Sequence, residues 1–156
     1  MATTIKNATL TTTVSESIVL NGVEQGATSV KSITGINEVF KRIVSITTTE
    51  ANIFTFHPTT VGAGEFKIGN VRYIRITNLD DTNHVVLTFQ GDSTHEFAVK
   101  LDYGQSFIYN GDLATGVADT FDADDAALTV ALEDLRTVTA AADTAACDLE
   151  LFVASV

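Results

Sequence analysis

Three histidines and one acidic run are the residues of this 156-residue chain best suited by type to chemistry. His57, His84 and His95 carry imidazoles, the usual general bases and metal ligands near neutral pH. Their spacing argues against a shared site. If Leu87 pairs with Val99 and Phe89 with Phe97 in a hairpin, His95 sits at the loop end and His84 at the opposite end, roughly 23 Å away along the strands. His57 precedes Pro58 on a different run. The acidic candidates are Asp119, Asp122, Asp124 and Asp125. With Asp122 in the first position of a calcium loop, Asp124 takes the third and Glu133 the twelfth. The fifth and sixth positions are then Ala126 and Ala127, where an oxygen ligand and the turn glycine belong. Asp122, Asp124 and Glu133 are therefore weak metal candidates, and a solvated acidic loop is the favoured reading.

The remaining motifs carry less. Gly62-Ala63-Gly64 lacks the Lys-Ser/Thr of a phosphate loop. Asn7-Ala8-Thr9 matches a glycosylation acceptor, which has meaning only behind a signal peptide, and the first residues lack the apolar core of one. Arg72 and Arg75 fall on opposite faces of one strand and make no basic stripe. Tyr73, Tyr103 and Tyr109 are expected in a core or an interface rather than a ligand groove. Cys147 stands alone, so no intrachain disulfide or cysteine metal cluster is possible, and its neighbours Ala146 and Leu149 mark it as a small buried hydrophobe. No catalytic residue and no cofactor is expected, and the chain reads as non-enzymatic.

The elements that would position these residues are strands. Thr, Val and Ile fill 24, 16 and 11 positions, and such β-branched side chains suit a pleated sheet better than a helix. One proline and ten glycines are not the composition of a linker. The net charge of −11 is uneven: residues 1–78 hold seven Lys or Arg against five Asp or Glu, and residues 79–156 hold two against fifteen. This balance argues against nucleic acid and anionic lipid as direct partners, since binding them rests on neutralising phosphates. The acidic half serves solubility or meets a basic neighbour in an assembly. No apolar run approaches the length of a membrane span.

Strands are expected within residues 3–20, then a tight turn at Asn21-Gly22, with Thr28 to Ile33 as the return or a longer loop at Gln25-Gly26. Val39 to Thr47 has apolar residues of both parities, which fits a sandwich interior or a subunit contact. Val39, Phe40, Ile43, Val44 and Ile46 are accordingly the interface candidates. Ala51 to Phe56 is the next strand, ended by His57-Pro58. Val71 to Tyr109 holds four β-rich runs separated by Asp, Asn, Gly, Ser and Thr clusters, the pattern of an antiparallel meander. Leu135 to Ala140 and Cys147 to Ala154 read as a closing strand pair. The fold class expected is all-β: one antiparallel β-sandwich domain over residues 1–156, jelly-roll-like, with a long acidic Ala/Asp-rich surface excursion at 111–134.

Three segments carry a resemblance. Leu20-Asn21-Gly22 with the Ile36–Ile46 segment is similar to the N-terminal part of small tailed-phage virion proteins. Val71-Arg-Tyr-Ile-Arg-Ile-Thr-Asn-Leu-Asp-Asp-Thr-Asn83 resembles a stretch common in structural proteins of marine and cyanobacterial phages. Leu101-Asp-Tyr-Gly-Gln-Ser-Phe107 resembles the Leu, two residues, Gly, Gln/Glu, Ser turn that follows it there. The resemblance runs up to Gly111. It implies a virion building block used in many copies, made in the host cytoplasm and resident in the virion. Capsid decoration, or cement, is the first role implied, with the major capsid protein or other virion proteins as partners and a homo-oligomer, a trimer foremost, as the state. A tail, neck or baseplate component is the second role. A carbohydrate-binding β-sandwich is the reading from another class, although the chain has no tryptophan for its groove.

Overall fold

A computed structural model describes residues 5–59, 61–92, 96–111 and 133–156. His95, Asp119, Asp122, Asp124, Asp125 and most of the 111–134 excursion lie outside the described residues. In chain order the strands are β1 (Ala8–Ser15), β2 (Val19–Leu20), β3 (Val23–Glu24), β4 (Thr28–Ile36), β5 (Glu38–Ile46), β6 (Ala51–His57), β7 (Phe66–Lys67), β8 (Val71–Asn78), β9 (Val85–Gln90), β10 (Glu96–Leu101), β11 (Ser106–Tyr109), β12 (Thr137–Ala142) and β13 (Cys147–Ser155). A short 3-10 helix, Ile68–Asn70, leads into β8.

Alternation decides which side chains go inside. Along β9 the odd-numbered Val85, Leu87 and Phe89 are buried, and along β13 so are Cys147, Leu149, Leu151 and Val153. Each such aliphatic or aromatic side chain contributes about 1.5–3 kcal/mol when removed from water. A five-stranded sheet, β10-β9-β12-β6-β7, and a four-stranded sheet, β11-β8-β13-β5, press these faces together. One core fills the space between them, with Phe54, Phe56 and Leu87 from the first sheet and Ile76, Leu149 and Leu151 from the second. The fold is therefore all-β, a sandwich of two sheets as the composition implies. Its pairings are antiparallel except that β6 and β7 run parallel, with Phe56 beside Phe66.

The β9–β10 register is the one the burial pattern demands, with Leu87 opposite Val99 and Phe89 opposite Phe97. Phe89 and Phe97 stack at 4.8 Å. Two expectations about connection are corrected. Val71–Tyr109 is not a continuous meander: β8 and β11 pair in the four-stranded sheet while β9 and β10 pair in the other. The chain crosses between sheets twice in this stretch, from β8 to β9 and from β10 to β11. Nor do the last two strands pair with each other. β12 lies between β9 and β6, and β13 lies between β8 and β5, so each is central in its own sheet. Setting aside two-residue β7, the strands from β5 onward fill one sheet in the order first, eighth, third, sixth, and the other in the order second, seventh, fourth, fifth.

Asn78 ties both crossings together. Fully buried, it donates through Nδ2 to the carbonyls of Asn83 at 2.9 Å and Leu101 at 3.2 Å, and its Oδ1 accepts from the Asp80 amide at 3.0 Å. Its backbone N–H donates to Gln105 O and its carbonyl accepts from the Gly104 amide. One side chain thus satisfies the corner backbone where β8 leaves for β9 and where β10 returns to β11.

The first four strands stand apart from the sandwich. β1 pairs with β4, and β2 with β3, in one nested hairpin that joins neither main sheet. Its tip turns at Asn21 (φ 52°) and Gly22 (φ 79°), the positive angles that a two-residue hairpin turn requires. The tight turn expected at Asn21-Gly22 is present and joins β2 to β3, and the return strand from Thr28 pairs with β1 beyond the break at residues 25–27. The neck is fixed by Glu24, whose Oε1 accepts from the Ile18 and Gly26 amides. Gly26 is required there, since a Cβ would fall 2.0 Å from the Glu16 carbonyl oxygen. At the base, Ile33, Ile36 and Leu10 pack on Tyr73, Phe152 and Ala154 of the four-stranded sheet's outer face, and Lys31 Nζ donates to Asn110 O at 2.8 Å.

Candidate interaction surfaces

The histidines do not assemble a site. His57 ends β6, with Nε2 3.1 Å from Glu65 Oε2, and His84 precedes β9, with Nδ1 3.6 Å from Asp143 Oδ2. These are two separate imidazole–carboxylate pairs, and neither ring carries a hydroxyl or thiol partner among the described residues. Among the described residues, no three His, Cys, Asp or Glu side chains converge as metal ligands. Glu133, the described member of the calcium-loop reading, sits in an isolated bridge just before β12. Cys147 is fully buried, and burial, then the neighbouring Asp80 carboxylate, pushes its thiol above the usual range.

The interface candidates on β5 divide by parity. Phe40 and Val44 pack against the core and Ile46 is buried in it. Val39 and Ile43 point outward and are 57% and 58% exposed. Between them Lys41 joins Glu150 at 2.8 Å, and Arg75 reaches the same carboxylate at 2.5 Å. Those two cations, Lys41 first, hold the Glu150 carboxyl below its ordinary value. Tyr73 is buried beneath the hairpin base, which raises its phenol. Tyr109 packs against the core, and Tyr103 is exposed. A cleft of about 390 Å³ opens between β1 and the outer sheet, lined by Thr12, Val14, Arg75, Ile108, Asn110 and Phe152 among others.

Sequence reasoning passed over the hairpin tip as a surface. Ile18, Val19, Leu20 and Val23 are all more than half exposed, as are Val14 and Val30 on the adjoining strands. A monomer gains nothing from such a group. Ala8, Leu10 and Val14 alternate with polar residues as in any half-buried strand, so the sequence carried no signal that set this hairpin apart.

The shifted groups set a pH profile. The Asp80 carboxyl lies below its ordinary 3.8 because the Asn83 and Thr82 amides donate to it, and Glu24 lies below 4.5 because of the Ile18 and Gly26 amides. Such carboxylates stabilise the fold above their unfolded values and lose that contribution as pH falls through the folded ones. Cys147 and Tyr73 act oppositely. Their neutral forms are favoured by the fold, so stability is lost as pH rises past the unfolded values of 9.0 and 10.0. Urea midpoints measured against pH should be flat from about pH 5 to 8 and fall on both sides. Cys147→Ala should reduce the alkaline fall; an unchanged alkaline limb would remove the thiol from this account.

Comparison with family models, with curated proteins and with solved structures finds no match for the chain, so its function rests on the geometry above.

Proposed function

We propose that this protein is a non-enzymatic structural component of a phage virion, most simply a capsid decoration protein that stabilises the shell by bridging subunits. The carrying observation is a two-sheet sandwich bearing a separate hairpin whose tip exposes its apolar side chains among the described residues. The order of strands in the two sheets favours reading the sandwich as a jelly roll, an architecture used by capsid proteins and by lectins. The resemblance of the Leu20–Gly22, Ile36–Ile46, Val71–Asn83 and Leu101–Phe107 segments to phage virion proteins favours the first. The acidic balance, −11 overall, disfavours direct contact with packaged nucleic acid.

Mass-spectrometric copy counting on purified particles tests this reading. A copy number that tracks the capsid lattice supports decoration. A number matching the few subunits of a tail, neck or baseplate ring overturns the capsid role in favour of the alternative placement. Absence from particles, together with glycan binding by the isolated protein, would instead promote the lectin reading.

A further inference from the structure

The hairpin is built as a pre-shaped binding element. Its tip presents Ile18, Val19, Leu20 and Val23, each between 56% and 65% exposed. The Asn21-Gly22 turn, the Glu24 carboxylate and the close approach at Gly26 hold that shape, which lowers the entropy lost on binding. The base is seated on the chain's own sheet through Ile33, Ile36 and Leu10. In the same chain, Val39 and Ile43 of β5 are also exposed, on the outward face of a strand whose other edge is open. Among the described residues, two apolar surfaces thus coexist uncovered.

Charge indicates what covers them. A basic foreign partner would be steered to the acidic half of the chain, which holds fifteen of the twenty carboxylates. Residues 5–46 are nearly neutral, with Lys6, Lys31, Lys41 and Arg42 against Glu16, Glu24 and Glu38. Two copies of this acidic chain meet with least repulsion there.

We propose that the arm tip of one copy seats on the outward face of β5 of a second copy. Because donor and acceptor surfaces differ, the contact is head-to-tail, which builds a ring where its rotation closes and an open chain where it does not. This inference does not rest on the virion reading, because the isolated protein tests it.

Sedimentation equilibrium of the full chain should show species larger than the monomer. The tip variant Leu20→Asp/Val23→Asp and the β5 variant Ile43→Asp should each weaken association by ~30-fold or more, the scale of a lost hot spot. Mixing the two variants should restore one intact interface and give a heterodimer without larger species. All three positions are solvent-exposed, so circular dichroism should show the wild-type fold. A wild-type chain that stays monomeric to its solubility limit, a tip variant that associates as the wild type does, or a mixture that yields no heterodimer would overturn the proposal.

Discussion

Asn78→Leu should lower the unfolding free energy by about 3 kcal/mol, at about 1 kcal/mol for each of three side-chain hydrogen bonds lost. Leucine fills a similar volume, so the loss comes from polarity rather than packing. The Leu101 carbonyl and the Asn83 carbonyl lose the Nδ2 donor, and the Asp80 amide loses its acceptor. Asn78→Asp should be worse, because the replacement sets a carboxylate oxygen against two carbonyls in a site with no solvent exposure. Urea denaturation with an unchanged m-value is the measurement. A loss of under about 1 kcal/mol for Asn78→Leu would mean that the two corners hold without the side chain.

Phe66→Ala should cost a further-reaching 3–5 kcal/mol, about the range for a buried phenylalanine. Phe66 lies on the short edge strand β7, yet its ring meets Phe40 at 5.4 Å, Phe54 at 5.8 Å and Phe56 at 5.9 Å. Truncation leaves a hole ringed by aromatics belonging to both sheets, which are held by their own ladders and cannot collapse into it. Leu20→Ala at the hairpin tip provides the contrast, since an exposed side chain should change stability by less than about 0.5 kcal/mol. Thermal unfolding of the two variants side by side checks both, and comparable losses would contradict the division into core and free arm.

Sequence alone made local pairing legible but not the assignment of strands to sheets. The Leu87–Val99 and Phe89–Phe97 pairs followed from alternation across a short loop, because a one-residue slip would expose every apolar side chain. Alternation says which side of a strand faces the core and is silent on which sheet supplies that side. For this reason β12 and β13, neighbours in sequence, were placed side by side when they face each other across the core. The same limit hid the arm, since Val14, Val19 and Val30 look as buriable as Val85 or Val138. Only three-dimensional placement distinguishes an apolar residue with a neighbour from one without. On β5, parity correctly separated Val39 and Ile43 from Phe40, Val44 and Ile46, and left open which set faced inward.

The central position of β12 and β13 has a kinetic consequence. Pairs such as Ile46 with Cys147 and Val85 with Ala142 join distant parts of the chain, so most loop closure precedes its reward and folding is slow. During synthesis, β5 and β8 lack the strand that belongs between them, as do β6 and β9, until residues up to 155 have left the ribosome. Neither sheet can be completed early. The nascent protein therefore waits with four unpaired strand edges, the species most exposed to aggregation, and expression at lower temperature or with a chaperone should raise the soluble yield.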